Sequence, residues 1–305
     1  MRSKEKVKLV EREPLGERLR EKWNSPVFRK FRRNKLAIVG MIFVAGVFFT
    51  AIFADLIAPY HWNERLDLDG DGQYDKLHPP SRKTLLGTDS FGRDILSRII
   101  HASRLDLLLG FILVSVQAAV GVPLGLIAGY YGGKVDALIM RAADASLAFP
   151  ALLLGIALAA VVGGSLVTIV AALGAVGWAA YGRLVRGQVL AIKAQDFVEA
   201  ARAFGEKDRS IMLRYIFPLT IAPVIVFMTT GLPAALLIGA ALSFLGLGIQ
   251  PPHVEWGLML SDARGALVIA PVYATAVGLA IMITVLGFNF LGDGLRDALD
   301  PRLKY

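Results

Sequence analysis

The chain has 305 residues, 55% of them hydrophobic and only 19% charged, with a mean hydropathy of +0.56. That is too apolar for a water-soluble domain of this length and places the chain in the membrane class. The formal net charge is +8, but the basic residues flank apolar runs and do not alternate with aromatics on one polar face, so they mark topology and not a nucleic-acid surface. With no cysteine, disulfides, thiolate metal sites and cysteine nucleophiles are excluded.

Residues 1–35 form a basic segment, expected in the cytoplasm. It lacks the short apolar core and small-residue cleavage site of a secretory signal, so the apolar run after it is expected to remain as an anchor. About 20 mostly apolar residues are needed to cross the hydrocarbon core. Runs at 36–58, 107–131, 142–162, 166–184, 218–245 and 270–291 meet that need, which predicts an all-α integral membrane protein with six transmembrane helices. Pro150 in the third run and Pro223 and Pro233 in the fifth predict kinks, tolerated where neighbouring helices satisfy the freed carbonyls. With both termini inside, about 25 of the 33 Lys and Arg fall on the cytoplasmic side, so the chain is expected N-in and C-in.

Residues 59–104 are then an extracytoplasmic segment, and 105–292 a five-helix core ending in a cytoplasmic tail, 293–305. In the outer segment, Asp67, Asp69, Asp71, Gln73 and Asp75 stand at the ligand spacing of a Ca²⁺ loop, with Gln73 offering its carbonyl and His78 where a bidentate Glu is expected. Two readings stay open, a structural Ca²⁺ site and an Asp/Gly turn closed without metal. Further on, Thr88 or Asp89 is expected to cap a helix up to Arg104. Its apolar side carries Ile95, Leu96, Ile99 and Ile100, as in an interfacial helix leading into the second span. That helix would rest on lipid headgroups or help to dock a partner.

In the second span Gly121, Gly125 and Gly129, four apart, put three bare backbones on one helix face for close approach by another helix, of this chain or of a partner. The third run carries Arg141 and Asp144, three apart and suited to pairing with each other. No formal charge stands between Tyr215 and Val254 or from Gly265 to Gly292, which argues against a self-sufficient ion-coupled carrier. His61, His78, His101 and His253 lack any H-E-x-x-H spacing, and no motif points to an enzyme.

From Arg183 to Phe217, charged and apolar residues recur at helical spacing on both sides of Gly205. Val198, Ala201, Ala203 and Phe204 precede it, and Ile211, Met212 and Tyr215 follow. The pattern predicts two amphipathic helices joined by a turn and projecting into the cytoplasm, a surface suited to a groove in a soluble partner. Glu199-Ala200-Ala201, then Gly205, and Pro218 at the close resemble the EAA loop, at about 185–217, of permease subunits of binding-protein-dependent ABC importers. The match extends over Gly87-Thr88-Asp89-Ser90-Phe91-Gly92-Arg93-Asp94, Ala128-Gly129-Tyr130-Tyr131-Gly132-Gly133, Phe149-Pro150 and the tail Gly292 to Arg302. These are similar to the C-type subunit of dipeptide and oligopeptide permeases.

The resemblance implies a type I importer fold in the inner membrane of a prokaryote. It also implies a second homologous permease, two ATPase subunits below and a substrate-binding protein above, with no intrinsic cofactor. ATP and Mg²⁺ are expected on the ATPases, because the chain has no G-x-x-x-x-G-K-[ST] phosphate loop. In that setting Gly205 would permit a sharp turn where a Cβ is excluded, Ala200 and Ala201 close approach, and Glu199 either a pair with a basic group on the ATPase or a solvated charge. The loop is expected to act as a rigid lever that tilts the spans. Similar permeases pass peptides, nickel chelates or oligosaccharides, so the cargo stays open.

Overall fold

The computed structural model describes residues 26–299, so the expectations for 1–25 and 300–305 lie outside the described residues. In chain order the helices are α1 (Pro26–Arg33), α2 (Lys35–Ile52), α3 (Ala54–Ile57), α4 (Ile95–Tyr131), α5 (Gly133–Ala148), α6 (Ala151–Val162), α7 (Leu166–Lys193), α8 (Asp196–Ala203), α9 (Asp208–Ser210), α10 (Phe217–Phe244), α11 (Trp256–Arg264) and α12 (Pro271–Leu299). A π-helical segment, Ile211–Ile216, joins α9 to α10.

The starts of four helices are set by side chains that accept an orphan N–H of the first turn. Asn34 receives Ala37 N at 3.2 Å, Asp94 receives Ser97 N at 2.7 Å, Ser165 receives Thr168 N at 3.1 Å and Glu255 receives Leu258 N at 2.9 Å. Asp94 therefore caps α4, and the expected caps do other work: Thr88 pairs with Asp94 as an isolated bridge, and Asp89 is buried in an ion cluster. The expected interfacial helix is likewise corrected. Ile95, Ser97, Arg98, His101 and Ala102 are buried, and they form the first turns of one continuous 37-residue helix.

Five helical stretches are long and apolar enough to cross a membrane. The expected third span is not one helix: α5 and α6 meet at Phe149-Pro150 with a bend of 78°. Pro150 has no N–H to extend α5, and the residue before a proline is driven to extended backbone, as Phe149 is at ψ 127°. Helix polarity still requires the pair to cross. α4 ends, and α7 begins, at opposite ends of the bundle, so α5–α6 returns the chain from one to the other and makes the sixth crossing. In contrast, Pro223 and Pro233 lie inside α10, which runs on as helix through both. Asp144 on α5 pairs with Arg183 of α7, not with Arg141, and Asp136 binds Arg186 of α7 through both carboxylate oxygens.

The tightest packing is between α4 and α7. A Cβ on Gly121 would sit 2.3 Å from Trp178 O, one on Gly125 2.4 Å from Gly182 O, and one on Gly129 2.7 Å from Val189 Cβ. The glycine stripe therefore packs within the chain. The same device recurs where α2 meets α12, with Gly40 against Leu291 N at 2.6 Å and Gly294 against Ala37 Cβ at 2.2 Å for a hypothetical Cβ.

Candidate functional site

All of the loop residues singled out in the sequence lie at one end of the bundle, where α4 and α7 end and α10 begins. Lys193 closes α7, and after Ala194 and Gln195 the chain turns into α8. α8 buries Val198 and Ala201 in a cluster with Val189, Ile192, Ile211 and Ile216. Glu199 and Ala200 are exposed, so the two alanines face opposite ways: Ala201 seats the helix on the bundle and Ala200 is on the free side. Phe204, counted in the sequence with the apolar residues before the turn, is 88% exposed.

α8 ends in a Schellman cap. Glu206 N donates to Ala201 O at 3.1 Å, Gly205 N to Arg202 O at 3.0 Å, and Gly205 has φ +80°. A Cβ on Gly205 would meet nothing within 4 Å. This corrects the expected steric exclusion: the turn needs glycine for its left-handed dihedral, not for space. Beyond it, the π segment has Phe217 N donating to Met212 O, five residues back. Pro218 is exposed and sits in the first turn of α10, so the wide turn lies directly ahead of a residue that cannot donate.

What holds this loop to the membrane helices is Tyr130, a residue of the quoted motif to which the sequence reading gave no role. Its hydroxyl donates to Asp208 Oδ1 at 2.6 Å, its carbonyl accepts Lys193 Nζ, and the guanidinium of Arg202 lies 6.0 Å from its ring centroid. One residue at the end of α4, through its hydroxyl, its ring and its backbone carbonyl, therefore ties together α7, α8 and α9. Between the turn and the π segment lies a groove of about 640 Å³, with Phe204 and Leu213 as its apolar part and Lys207, Arg209 and Arg214 as its basic part. Glu206 also lines it, so the groove is apolar at one part and carries a net basic charge at the other.

At the opposite end, residues 58–94 fold over α4. Asp89, fully buried, accepts Phe91 N at 2.8 Å, Arg93 N at 3.0 Å and Arg93 Nε at 2.7 Å, and lies 3.4 Å from Arg98 Nε. Arg93 in turn reaches Asp262 of α11 at 3.8 Å. Burial pushes the Asp262 carboxyl above the ordinary range, partly offset by Arg98 and Arg93.

The Asp-rich stretch forms a turn closed by its own hydrogen bonds. Asp67 accepts the N–H groups of Gly70, Asp71 and Gly72 at 2.7, 3.2 and 2.9 Å, and Asp75 accepts Leu68 N. Gly72 N–H is the main cause holding the Asp67 carboxyl below the ordinary range. Among the described residues no three His, Asp or Glu side chains converge as a metal site, so Asp67, Asp69, Asp71 and Asp75, with or without His78, are not brought together as ligands. Gln73 instead donates its N–H to Asp71 Oδ1 at 2.8 Å. In this geometry the backbone N–H groups, rather than a cation, close the turn. Adding excess Ca²⁺ to the purified subunit is accordingly expected to leave its thermal transition and its calorimetric baseline unchanged; saturable heat of binding would restore the metal reading.

The described residues thus form an all-helical bundle with five or six membrane crossings and a capped, exposed loop helix at one end. Residues 121–305 match the model of the binding-protein-dependent transport system inner membrane component, and residues 24–80 match the N-terminal transmembrane domain of oligopeptide transport permease C. The chain is 45% identical over 277 residues to the dipeptide transport system permease protein of Alkalihalophilus pseudofirmus, covering 91% of this chain and 89% of that one. It is also 45% identical over 289 residues to the glutathione transport system permease proteins of Escherichia coli and Shigella boydii, covering 94% of this chain and 93% of theirs. The chain belongs to the binding-protein-dependent transport system inner membrane component family. It is a multi-pass inner-membrane permease subunit of an ATP-driven importer, not an enzyme, and it works with ATPase and substrate-binding partners.

Proposed function

We propose that this chain and a second, homologous permease enclose a path for short peptides, driven by two ATPase subunits that dock at the α8 end. The end bearing Glu199 would face the cytoplasm, N-in and C-in, as the lysine and arginine distribution requires. The binding protein would deliver its cargo at the end bearing residues 58–94, with lipid covering the remaining apolar faces. The observation that carries this reading is the build of the loop: a helix seated by Val198 and Ala201, locked by the Gly205 turn and tied to α4 through Tyr130, with Glu199, Ala200 and Phe204 exposed. A rigid, anchored and partly apolar protrusion transmits displacement; a loosely tethered one would absorb it.

Peptide cargo is favoured by the relatives, whose names specify dipeptide and glutathione transport. Expression in a host deleted for its peptide permeases is the test, with uptake of a labelled dipeptide, of glutathione and of an oligosaccharide compared side by side. Uptake of a peptide substrate alone supports the reading; uptake of only the oligosaccharide sinks it. Affinity purification is expected to recover two ATPase copies and one second permease per chain.

A further inference from the structure

Among the described residues, apart from the ion cluster around Asp89, one pair of acidic groups lies buried with no cation paired to it. Asp106 stands three turns into α4 and is 4% exposed; Glu255, at the N-cap of α11, is 1% exposed. Although far apart in sequence, they meet at the same helix start. Asp106 Oδ2 accepts Trp256 N, the residue next to Glu255, at 3.1 Å, and Glu255 Oε2 accepts Leu258 N at 2.9 Å. The Ser243 hydroxyl, at the end of α10, accepts Ile249 N at 3.2 Å.

Every charged or titratable group on the surrounding elements is engaged elsewhere or does not pair with the couple. On α4, Arg98 faces Asp89, while His101 and Arg104 reach Asp55; on α11, Asp262 meets Arg93, and Arg264 lies 5.8 Å from the Phe244 ring centroid. His253, in the loop before α11, lines a shallow cavity with Trp62 and makes no ion pair with either carboxyl, and Tyr273 of α12 faces the Asp89–Arg98 cluster. α10 brings no charge. Two adjacent negative charges in a buried site without a cation repel strongly, and a single hydrogen held between them removes one of the charges and lets one carboxyl donate to the other.

We propose that Asp106 and Glu255 hold a single shared proton, exchanged with the aqueous face opposite the Glu199 loop, and that this proton latches α11 to α4. The second tie between the same elements, Trp256 Nε1 to Ile99 O at 3.1 Å, carries no charge and keeps the joint in register. With the proton present, carboxyl and carboxylate form a charge-assisted bond across the joint. With the proton gone, two like charges face each other, and the N-terminus of α11 is driven off α4. α11 also holds residues 58–94 through Asp262, so release of the latch loosens the whole cover at that end. Burial pushes the Glu255 carboxyl above the ordinary range, against the opposing N–H groups of Leu258 and Gly257. Between the unfolded and the folded value, such a group is protonated in the folded chain and ionised in the unfolded one. Its stabilisation is therefore complete below the ordinary carboxylate value and is lost as pH rises towards the pair's own value, at up to about tenfold in the unfolding equilibrium per pH unit for one proton.

The test is infrared difference spectroscopy on the purified subunit in light and heavy water, with Asp106→Asn and Glu255→Gln, which keep size and hydrogen-bonding capacity. Wild type is expected to show the C=O stretch of one protonated carboxyl at neutral pH, absent from both variants and unchanged in the Asp262→Asn control. Thermal transitions across the same pH range should lose one proton's worth of pH dependence in each variant. The proposal is overturned by a wild-type spectrum with no protonated carboxyl, by a band that persists in both variants, or by a band that vanishes in Asp262→Asn. If one variant does not fold, the other decides. If neither does, the wild-type band and its persistence in Asp262→Asn decide.

Discussion

Gly125→Leu is expected to leave no folded subunit in the membrane fraction, and Gly125→Ala to lower its thermal transition by the equivalent of about 1–3 kcal/mol, the usual cost of forcing a methyl group into a packed contact. A Cβ at this position would meet Gly182 O at 2.4 Å and Val185 Cβ at 3.0 Å. A carbonyl of α7 cannot swing aside as a side chain can, so the helices themselves must part. Doing so opens the largest contact in the bundle. The cost is expected to be graded along the stripe. Gly121, whose Cβ would meet Trp178 O at 2.3 Å, should behave like Gly125. At Gly129 the added Cβ would meet Val189 Cβ at 2.7 Å and Arg186 O at 3.0 Å, so Gly129→Ala should also cost stability, less than at Gly121 and Gly125 only because the approach is less close. Purification yield and transition temperature in detergent measure the series, and an unshifted transition in Gly125→Ala would refute the packing account.

Gly205→Asp is expected to insert and fold but to abolish transport. The left-handed dihedral costs a side chain about 1–2 kcal/mol, and aspartate is among the residues that tolerate that region best. No atom of the chain lies within 4 Å of the new Cβ, so the bundle is not pushed apart. What the carboxylate does meet is whatever seats itself against Phe204 and the basic groove beside it. ATPase subunits are expected to fall away on purification, and Gly205→Ala should retain a fraction of the wild-type rate. Full transport by Gly205→Asp would remove the loop from the coupling path, whatever the cargo.

The sequence made most of the crossings legible because a 20-residue apolar run has few other uses. It misjudged the third, because averaging over residues 142–162 hides the one dipeptide, Phe149-Pro150, at which the backbone turns. It also missed α11: nine residues with Asp262 and Arg264 among them fall below the length that periodicity can resolve, although Glu255 ahead of Trp256 had the form of a cap. Thr88 and Asp89 looked like caps for the same local reason, and only the tertiary fold shows Asp89 committed to Arg93 and Arg98. The loop was easier to read, since glycine after an amphipathic turn and proline before an apolar run each carry a local constraint. The exposure of Phe204 was not local at all. It follows from where the Schellman turn aims the residue that caps the helix. Asp106 was passed over because a single acid beside Leu105 and Leu107 looks like the edge of a span, and its partner, Glu255, lies far along the chain.

The length of α4 has one more consequence. At about 1.5 Å per residue its 37 residues make a rod of roughly 55 Å, well beyond the 30 Å or so of hydrocarbon. Tyr130 is at one tip, among the groups that grip the Glu199 loop, and Arg98 and Asp106 are near the other. The rod is gripped at both tips and packed against α7 by the glycine stripe over its last third. A stiff body held in this way would deliver a push on the Glu199 loop to the cover formed by residues 58–94 on the far face of the membrane.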